Sequence, residues 1–468
     1  MKIAILGGGL AGLSAAYELA QYARAGLSLD VSLFEAGPRL GGLLETHRQS
    51  GFVIECGADS WVTEKPWARA LAVELGLEQE LIGSCDTWRR TFLLRNKSLI
   101  AMPDGMRMMV PVNWSPLLAS PLFSTEAKLA YLREPRRAEE LKSAYATHTA
   151  DESVSDFVAR HFGNEIATNI AAPLLSGVFG GDIRSLSAQA VMPAFVRMAR
   201  EQGSLVLALQ QHARAAKENS TAFTSLRNGL GTLPERITAA LPPHWLHLHS
   251  PVTALEHISG RWRVHVNAAA HDFDAVIIAT PAPISSQLLS GVDATLSSLL
   301  QMDASSAIIV ALAFAPADSR ALRIPRGFGF LVPQPLHTAP ESSLMAATFV
   351  DQKFPHRVPE GGVLLRGFFG GASALQMLSQ SDDAIIALAH SELSRILGTL
   401  PAPHIALVRR WPHSLPQYAV GHLHRVAQIE RAAAALRGLR LTGNAFHGVG
   451  MPDIVREGRI AAATLLAK

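Results

Sequence analysis

Apolar residues along this chain alternate between two spacings, and the first change of spacing carries the most information. In MKIAILGGGLAGLSAAYELA the run after Lys2 is continuously apolar, which predicts a buried parallel strand over residues 2–6. After the glycines the apolar positions resume at helical spacing from about Leu10. DVSLF predicts a second strand over residues 30–34. FLLRNKSLIAMP reads as a hairpin, and ESVSDFVARHFG as an amphipathic helix. FTSLRNGLGTLPERITAAL turns into a helix, and PVTALEHI, RWRVHV and FDAVIIAT return to sheet. SSAIIVALAFA, GFGFLVP, SLMAATFV and VLLRGFF predict four more strands, followed by a helix over residues 382–397. Near the end a strand runs into Gly443, a loop carries Gly448, Val449 and Gly450, and Pro452 sits where the first turn of a helix tolerates proline.

The opening strand, turn and helix have the chemistry of a dinucleotide site. Gly7, Gly9 and Gly12 stand at GxGxxG spacing, with Gly8, Leu10 and Ala11 between them. Gly7 allows the tight turn, Gly9 lets backbone approach a pyrophosphate, and Gly12 lets the helix lie close on its strand. The helix start then offers free N–H donors and about half a positive charge to phosphate. The second predicted strand ends in Glu35, at the spacing where an acid takes ribose hydroxyls. Beyond Ala36, Arg39 is placed to reach a phosphate, and Gly41 and Gly42 allow another close approach. Nicotinamide folds do not usually need that extension, so the cofactor expected is FAD. In ECGADSW, Gly57 and Ala58 are small enough for backbone to pass beside it.

The expected fold is α/β: an FAD-binding Rossmann-like domain of the glutathione-reductase type, an inserted mainly helical domain, and a mixed-sheet substrate-binding domain. Its division along the chain is residues 1–85, 216–285 and 411–468 for the cofactor domain, 86–215 for the helical domain and 286–410 for the sheet domain. At 468 residues with 48% hydrophobic residues, a large core can be buried. Lys+Arg 42 against Asp+Glu 39 is too balanced for a nucleic-acid partner. Glycines interrupt the N-terminal apolar stretch, so a signal peptide is not expected. No apolar run approaches the ~20 residues of a spanning helix. Cys56 and Cys85 form no CxxC pair, which fits a reducing cytoplasm, and the histidines of HWLHLHS and GHLH are read as surface residues, not metal ligands.

The chain as a whole resembles the porphyrinogen oxidases of haem synthesis, which oxidise protoporphyrinogen IX or coproporphyrinogen III, within the flavin amine oxidase superfamily. The residues that carry the resemblance are GGGLAGLSAAYEL, RLGG, LLSGVFGGDIRSLS, FTSLRNGLGTLPERI, GFGFLVP, KFPHRVPEG, PQYAVGH and GNAFHGVGMPD. It implies noncovalent FAD held by residues 7–12, Glu35, Arg39, the GADS segment through Asp59 and Ser60, the backbone of Val252, Trp411, and Gly448 to Met451. It implies porphyrinogen contacts at Gly177, Gly329, Leu331 and Phe368, with Leu331 and Phe368 clamping the macrocycle. Animal and plant relatives place an arginine directly before the FLL-type strand, whereas this chain has Thr91 there, with Arg90 and Arg89 just upstream. Carboxylate binding by Arg90 is therefore open, as is the choice between the two porphyrinogens.

The expected reaction passes hydrides from carbon to the flavin and on to dioxygen, without catalytic side chains or metal. Six electrons leave the macrocycle and three hydrogen peroxide molecules form. An amine oxidase or a carotenoid-type desaturase of the same superfamily is the alternative. MRMMVPVNWSPLLASPLF is apolar enough to rest on a bilayer, so the location expected is cytoplasmic with at most peripheral membrane contact, and hand-over of product to a ferrochelatase is the partner implied.

Overall fold

In the computed structural model, which describes residues 1–147, 150–215, 221–320, 322–334 and 341–467, a five-stranded sheet, a seven-stranded sheet and a layer of helices carry most of the core. The first sheet is five-stranded and parallel, in the order Leu246–His247, Asp30–Phe34, Lys2–Leu6, Ala275–Ile278, Leu439–Leu441. Its strands read as continuous apolar runs because both faces are covered. Ile3 and Ile5 enter one core with the first helix, Leu10–Arg24, and the last, Met451–Leu466, while Ala4 and Leu6 enter a second core on the other face. Those two helices pack closely: a Cβ at Gly458 would lie 2.4 Å from Ala11 O.

The second sheet is seven-stranded, in the order Ile405–Pro416, Ala304–Phe314, Val363–Gly370, Ala346–Phe349, Gly329–Leu331, Thr91–Arg95, Ser98–Ala101. All its pairs are antiparallel except that of Gly329–Leu331 with Thr91–Arg95. Side chains alternate across a strand. Ile308, Val310, Leu312, Phe330, Leu365 and Phe369 therefore share one face, packed on Ile385, Ala389 and Leu393 of the helix Asp382–Leu397. On the other face Ala311, Ala313 and Leu364 pack on Phe52, Ile54 and Val350, and the half-buried stretch through Leu331 and Phe368 borders the candidate cleft. Helices between Trp114 and Ala215 roof that cleft around a core that includes Tyr131, Phe157, Phe162 and Leu175. Leu93 from the hairpin joins the same core.

Several segments settle differently from a plain reading of the pattern. The hairpin of residues 91–101 turns at Asn96 and Lys97, both at positive φ, and joins the large sheet, not the helices that follow it. The strands Val252–Ile258, Arg261–Val266 and Ala269–Phe273 form a separate antiparallel sheet, and only Ala275–Ile278 continues into the parallel one. Tight turns with positive φ at Ser259, Gly260 and Asn267 force that local pairing. The strand Ile405–Pro416 runs unbroken through position 410. In the apolar segment of residues 106–123, Met109, Val110, Leu117, Leu122 and Phe123 are buried in the helical core, leaving Met108 and Leu118 exposed. Among the described residues no helix is long and apolar enough to cross a membrane.

Candidate active site

The parallel strands all end at the edge of the sheet where the glycine turns lie, the usual ligand crevice of an open α/β sheet. Two glycines there answer to the protein itself. Gly7 has φ 103°, and a Cβ on Gly12 would lie 2.0 Å from Gly7 O, so the first helix could not approach its strand with any side chain there. Gly9 does not. Its φ of −69° and ψ of 179° suit any residue, and a Cβ there would meet nothing within 4 Å. Leu10 and Ala11, in the first helical turn, are buried.

Glu35 closes this end of the cleft. Gly8 N–H donates to its Oε2 and Gly37 N–H to its Oε1, both at 2.8 Å, which leaves further lone pairs on each oxygen for hydroxyl donors. Ala36 is exposed beside it. Ser250 N–H donates to Glu35 O at 2.8 Å, which brings the chain approaching Val252 to the same end. Gly41 N–H donates to Gly8 O at 2.8 Å, and Gly42 lies against Gly9, so the second glycine pair covers the first turn. Arg39 is engaged by its own loop: it donates to Gly42 O at 2.6 Å and pairs with Glu45 at 3.0 Å. Arg409 holds Glu45 from the other side.

Two strands from Lys2–Leu6, Gly443 opens the C-terminal loop, and a Cβ there would meet nothing within 4 Å. Gly448 sits against Asp453, whose Oδ2 pairs with Lys65 Nζ at 2.5 Å. Gly450 caps the last helix and Met451 begins it. Val449 packs on the helical core.

The GADS segment meets the large sheet at a buried charge cluster the sequence did not reveal. Trp411 Nε1–H donates to Cys56 O at 2.7 Å, and Arg366 Nη2 donates to Gly57 O. Ala58 is exposed between them and Asp59. Asp59 Oδ1 accepts from Lys353 Nζ at 2.9 Å, and its Oδ2 lies 3.4 Å from Arg366 Nη1. Ser60 Oγ accepts from Lys353 at 3.0 Å. Burial pushes the Asp59 carboxyl up, but Lys353 and Arg366 outweigh it and hold the group well below the usual carboxylate range. Lys353 is pulled down from its ordinary value by burial, against the attraction of Asp59. The one hint in the sequence was an arginine standing in otherwise apolar surroundings, at LLRGFF.

Register then aligns the expected substrate residues. Leu331 pairs with Ala346, Ala346 with Phe368, Phe368 with Ile309, and Ile309 with Arg409, so these side chains share the cleft face. The adjacent row on that face is Thr91, Gly329, Thr348, Arg366 and Ala311. Trp411 is two residues from Arg409 on the same face. A Cβ at Gly177 would lie 3.9 Å from Leu331 Cδ2, so the roof helix Ala172–Phe179 meets the sheet there. Gly329 serves the backbone: any Cβ would lie 2.0 Å from Ala347 O. Leu331 and Phe368 are half-buried, whereas their neighbours Phe330 and Phe369 are core. Arg90 stands before its strand, exposed, with its guanidinium 3.6 Å from Asp104, while Thr91 faces the cleft. These rows contain no carboxylate, imidazole or thiol.

The family model of flavin containing amine oxidoreductases matches residues 10–466. The chain belongs to that family. A coproporphyrinogen III oxidase of Bacillus subtilis is 32% identical over 99% of this chain and 97% of its own length. A protoporphyrinogen oxidase of Bos taurus is 30% identical over 99% and 98%. A crystal structure assigned only provisionally as a protoporphyrinogen oxidase, from Exiguobacterium sp. 255-15, superposes with a TM-score of 0.85 at 29% identity, covering 100% of this chain and 99% of that one. Family membership makes the chain a flavin-dependent oxidoreductase, and its full-length relatives place it with the porphyrinogen oxidases.

Proposed function

We propose that this enzyme oxidises a porphyrinogen to the porphyrin in haem synthesis, with noncovalent FAD as cofactor and dioxygen as acceptor. The observation that carries the reading is the apolar stretch of Leu331, Ala346, Phe368 and Ile309 in one register row, beside the GADS segment and Trp411, in a chain with full-length relatives named as porphyrinogen oxidases. Ala346 between them leaves a shallow floor on which a flat macrocycle can lie. Strands about 4.8 Å apart put the two side chains about 10 Å apart, a fitting span for a tetrapyrrole.

The cleft fits the cofactor. Gly9 and Gly443 leave open space at the two turns, the first helix directs free N–H groups at a pyrophosphate, and Glu35 retains lone pairs for ribose hydroxyls. When bound, FAD supplies the hydride acceptor. His447 pairs with Glu430 at 2.6 Å, and the two cysteines lie outside the C-terminal loop, which supports a noncovalent cofactor.

The chain's own residues position and desolvate the substrate. Leu331, Phe368 and the Gly177 backbone hold the macrocycle and exclude water, so that a meso carbon, which bears the hydrogens to be lost, would face the hydride acceptor. With no acid or base on these rows no side chain takes a proton: of the four meso hydrogens lost, three would leave as hydride and the fourth as a proton through tautomerisation, and two pyrrole N–H protons go to solvent. Asp59, Lys353 and Arg366 fix the GADS backbone, which would flank a bound flavin. Each two-electron step reduces one dioxygen to peroxide, and three such steps complete the porphyrin.

Coproporphyrinogen III is the substrate we favour. The Bacillus subtilis relative carries that name, and Thr91 on the cleft face separates this chain from the arginine-bearing animal and plant enzymes. We place the protein in the cytoplasm with at most peripheral membrane contact, its product passing to a ferrochelatase. The test is side-by-side turnover of coproporphyrinogen III and protoporphyrinogen IX in air without nicotinamide, read by porphyrin fluorescence and peroxide. Three peroxides per porphyrin, with coproporphyrinogen III the faster substrate, is the expected result. Failure with both, or a strict requirement for NADH or NADPH, would refute the function.

A further inference from the structure

The segments GVFGGD and PQYAVGH, far apart in sequence, touch in the structure. Gln417 Nε2–H donates to Phe179 O, the end of the roof helix, at 2.7 Å, and also to Leu415 O at 2.9 Å. A Cβ at Gly181 would lie 1.8 Å from Gln417 Oε1, so the glutamine can seat only against glycine. Tyr418 O accepts from Ser187 N–H at 2.7 Å, and its ring centroid lies 6.0 Å from that of Phe179.

The same residue reaches the other way. Tyr418 O–H donates to Asn444 O at 2.6 Å, and its oxygen accepts from Gly448 N–H at 3.0 Å, clamping the C-terminal glycine loop across its width. The ring stacks on His422 at 3.8 Å, and His422 Nε2 bonds Phe446 O at 2.9 Å. Val449 of that loop packs in the same apolar cluster as Phe179 and Tyr418. One short segment thus holds both the end of the helix that carries Gly177 and the loop beneath the expected flavin.

We propose that Gln417 and Tyr418 are positioning residues that register the porphyrinogen-side helix against the flavin loop, so that filling the flavin cleft orders the helix end at residues 177–187. The inference rests on the flavin reading above. Gly443 and Gly448 lie at φ 137° and 133°, backbone that L side chains rarely adopt, so the loop's path is held by the Tyr418 clamp and not by side chains at its own glycines. With the loop on this path the Tyr418 hydroxyl has both its partners in place, and its ring and backbone fix Phe179 and Ser187. The coupling is reciprocal, so porphyrinogen contacts at Gly177 strengthen flavin binding by the same factor.

The test is hydrogen–deuterium exchange on the purified holoprotein and on the same preparation stripped of flavin, for wild type and Tyr418→Phe. In the wild type, flavin slows exchange at least about tenfold at residues 7–12, 443–451 and 177–187. In Tyr418→Phe, which keeps the ring packing, protection persists at 7–12 and is lost at 177–187. Gln417→Ala raises KM for porphyrinogen several-fold with flavin affinity unchanged. Flavin protection at 7–12 and 443–451 without any at 177–187 in the wild type overturns the proposal while sparing the flavin reading. Undiminished protection at 177–187 in Tyr418→Phe also overturns it. Absence of protection at 7–12 overturns the flavin reading itself.

Discussion

Gly9→Ala and Gly12→Ala make the same chemical change three residues apart, yet they should fail for opposite reasons. At Gly12 the new methyl would sit 2.0 Å from Gly7 O and 3.3 Å from Ala279 Cβ, contacts that backbone cannot relieve by rotating a side chain. The first helix must lift off its strand, an overpacking cost of about 3 kcal/mol or more, felt with or without ligand. At Gly9 the methyl meets nothing within 4 Å and the backbone is already in an ordinary conformation. The apoprotein should keep its stability to within about 0.5 kcal/mol, since the entropy gained on leaving glycine and the slightly poorer helix cap nearly cancel. FAD must then accommodate the methyl at its pyrophosphate, and affinity should fall by about 1 to 3 kcal/mol, or roughly 5- to 150-fold. Gly9→Asp adds charge repulsion of about 4 kcal/mol at 4 Å and an effective dielectric of about 20, enough to abolish binding. Thermal unfolding of the stripped protein and flavin-fluorescence titration separate the two effects. A Gly9→Ala protein that binds FAD as tightly as wild type would show that no pyrophosphate crosses that turn.

Other expectations follow from burial and charge. Leu331→Ala and Phe368→Ala should raise KM more than they lower kcat, losing about 1 to 3 kcal/mol of apolar contact, whereas Phe330→Ala should cost about 3 to 5 kcal/mol of stability with normal kinetics in the surviving protein; the reverse pattern would put the substrate on the other face of the sheet. Lys353→Met should destabilise the fold by about 3 kcal/mol in urea, because Asp59 is left buried with Arg366 alone. The Asp59 carboxyl titrates below its unfolded value near 3.9, so its stabilisation is full above about pH 4 and fades as pH falls further; Lys353→Met should move acid unfolding to higher pH, and an unmoved acid limb would remove this role. Burial pushes Asp351 up to about 6, against the Leu364 N–H that it accepts at 3.2 Å. Ionising it therefore costs stability as pH rises from about 4 through 6, less than full conversion of the shift because Asp351 borders a surface cavity with His356 and Glu360. Asp351→Asn should raise Tm at pH 7.5 and leave it unchanged at pH 4, and equal effects at both would exclude titration as the cause.

What the sequence made legible was local. The strands Lys2–Leu6 and Asp30–Phe34, the start of the first helix and the helix Asp382–Leu397 were all readable because their apolar periods are bounded by glycine, proline or capping residues. The glycine turn and Glu35 were readable for the same reason: their chemistry lies within a few dozen residues. The Lys353 pairing with Asp59 spans 294 positions, and Gln417 reaches Phe179 across 238, so neither has any local signature. The parallel pairing of Gly329–Leu331 with Thr91–Arg95, which puts Thr91 on the cleft face, depends on how the sheet closes. Likewise the pattern of PVTALEHI and RWRVHV said strand without saying which sheet, although the tight turn at Ser259 and Gly260 was there to be read.

The order of strands in the parallel sheet has a consequence for how the protein is made. The central strands are Lys2–Leu6 and Ala275–Ile278, and the edge strand Leu439–Leu441 leaves the ribosome well after both. Until then Ala275–Ile278 presents an unpaired edge, and the apolar face of the first helix lacks the partner that packs Gly458 against Ala11. Nascent chains therefore carry a sticky sheet edge from the making of Ala275–Ile278 until Leu439–Leu441 follows. On the proposed reading a flavin has no complete site to bind during that time, and flavin-starved cells should accumulate this protein in chaperone complexes or aggregates while its rate of synthesis is unchanged.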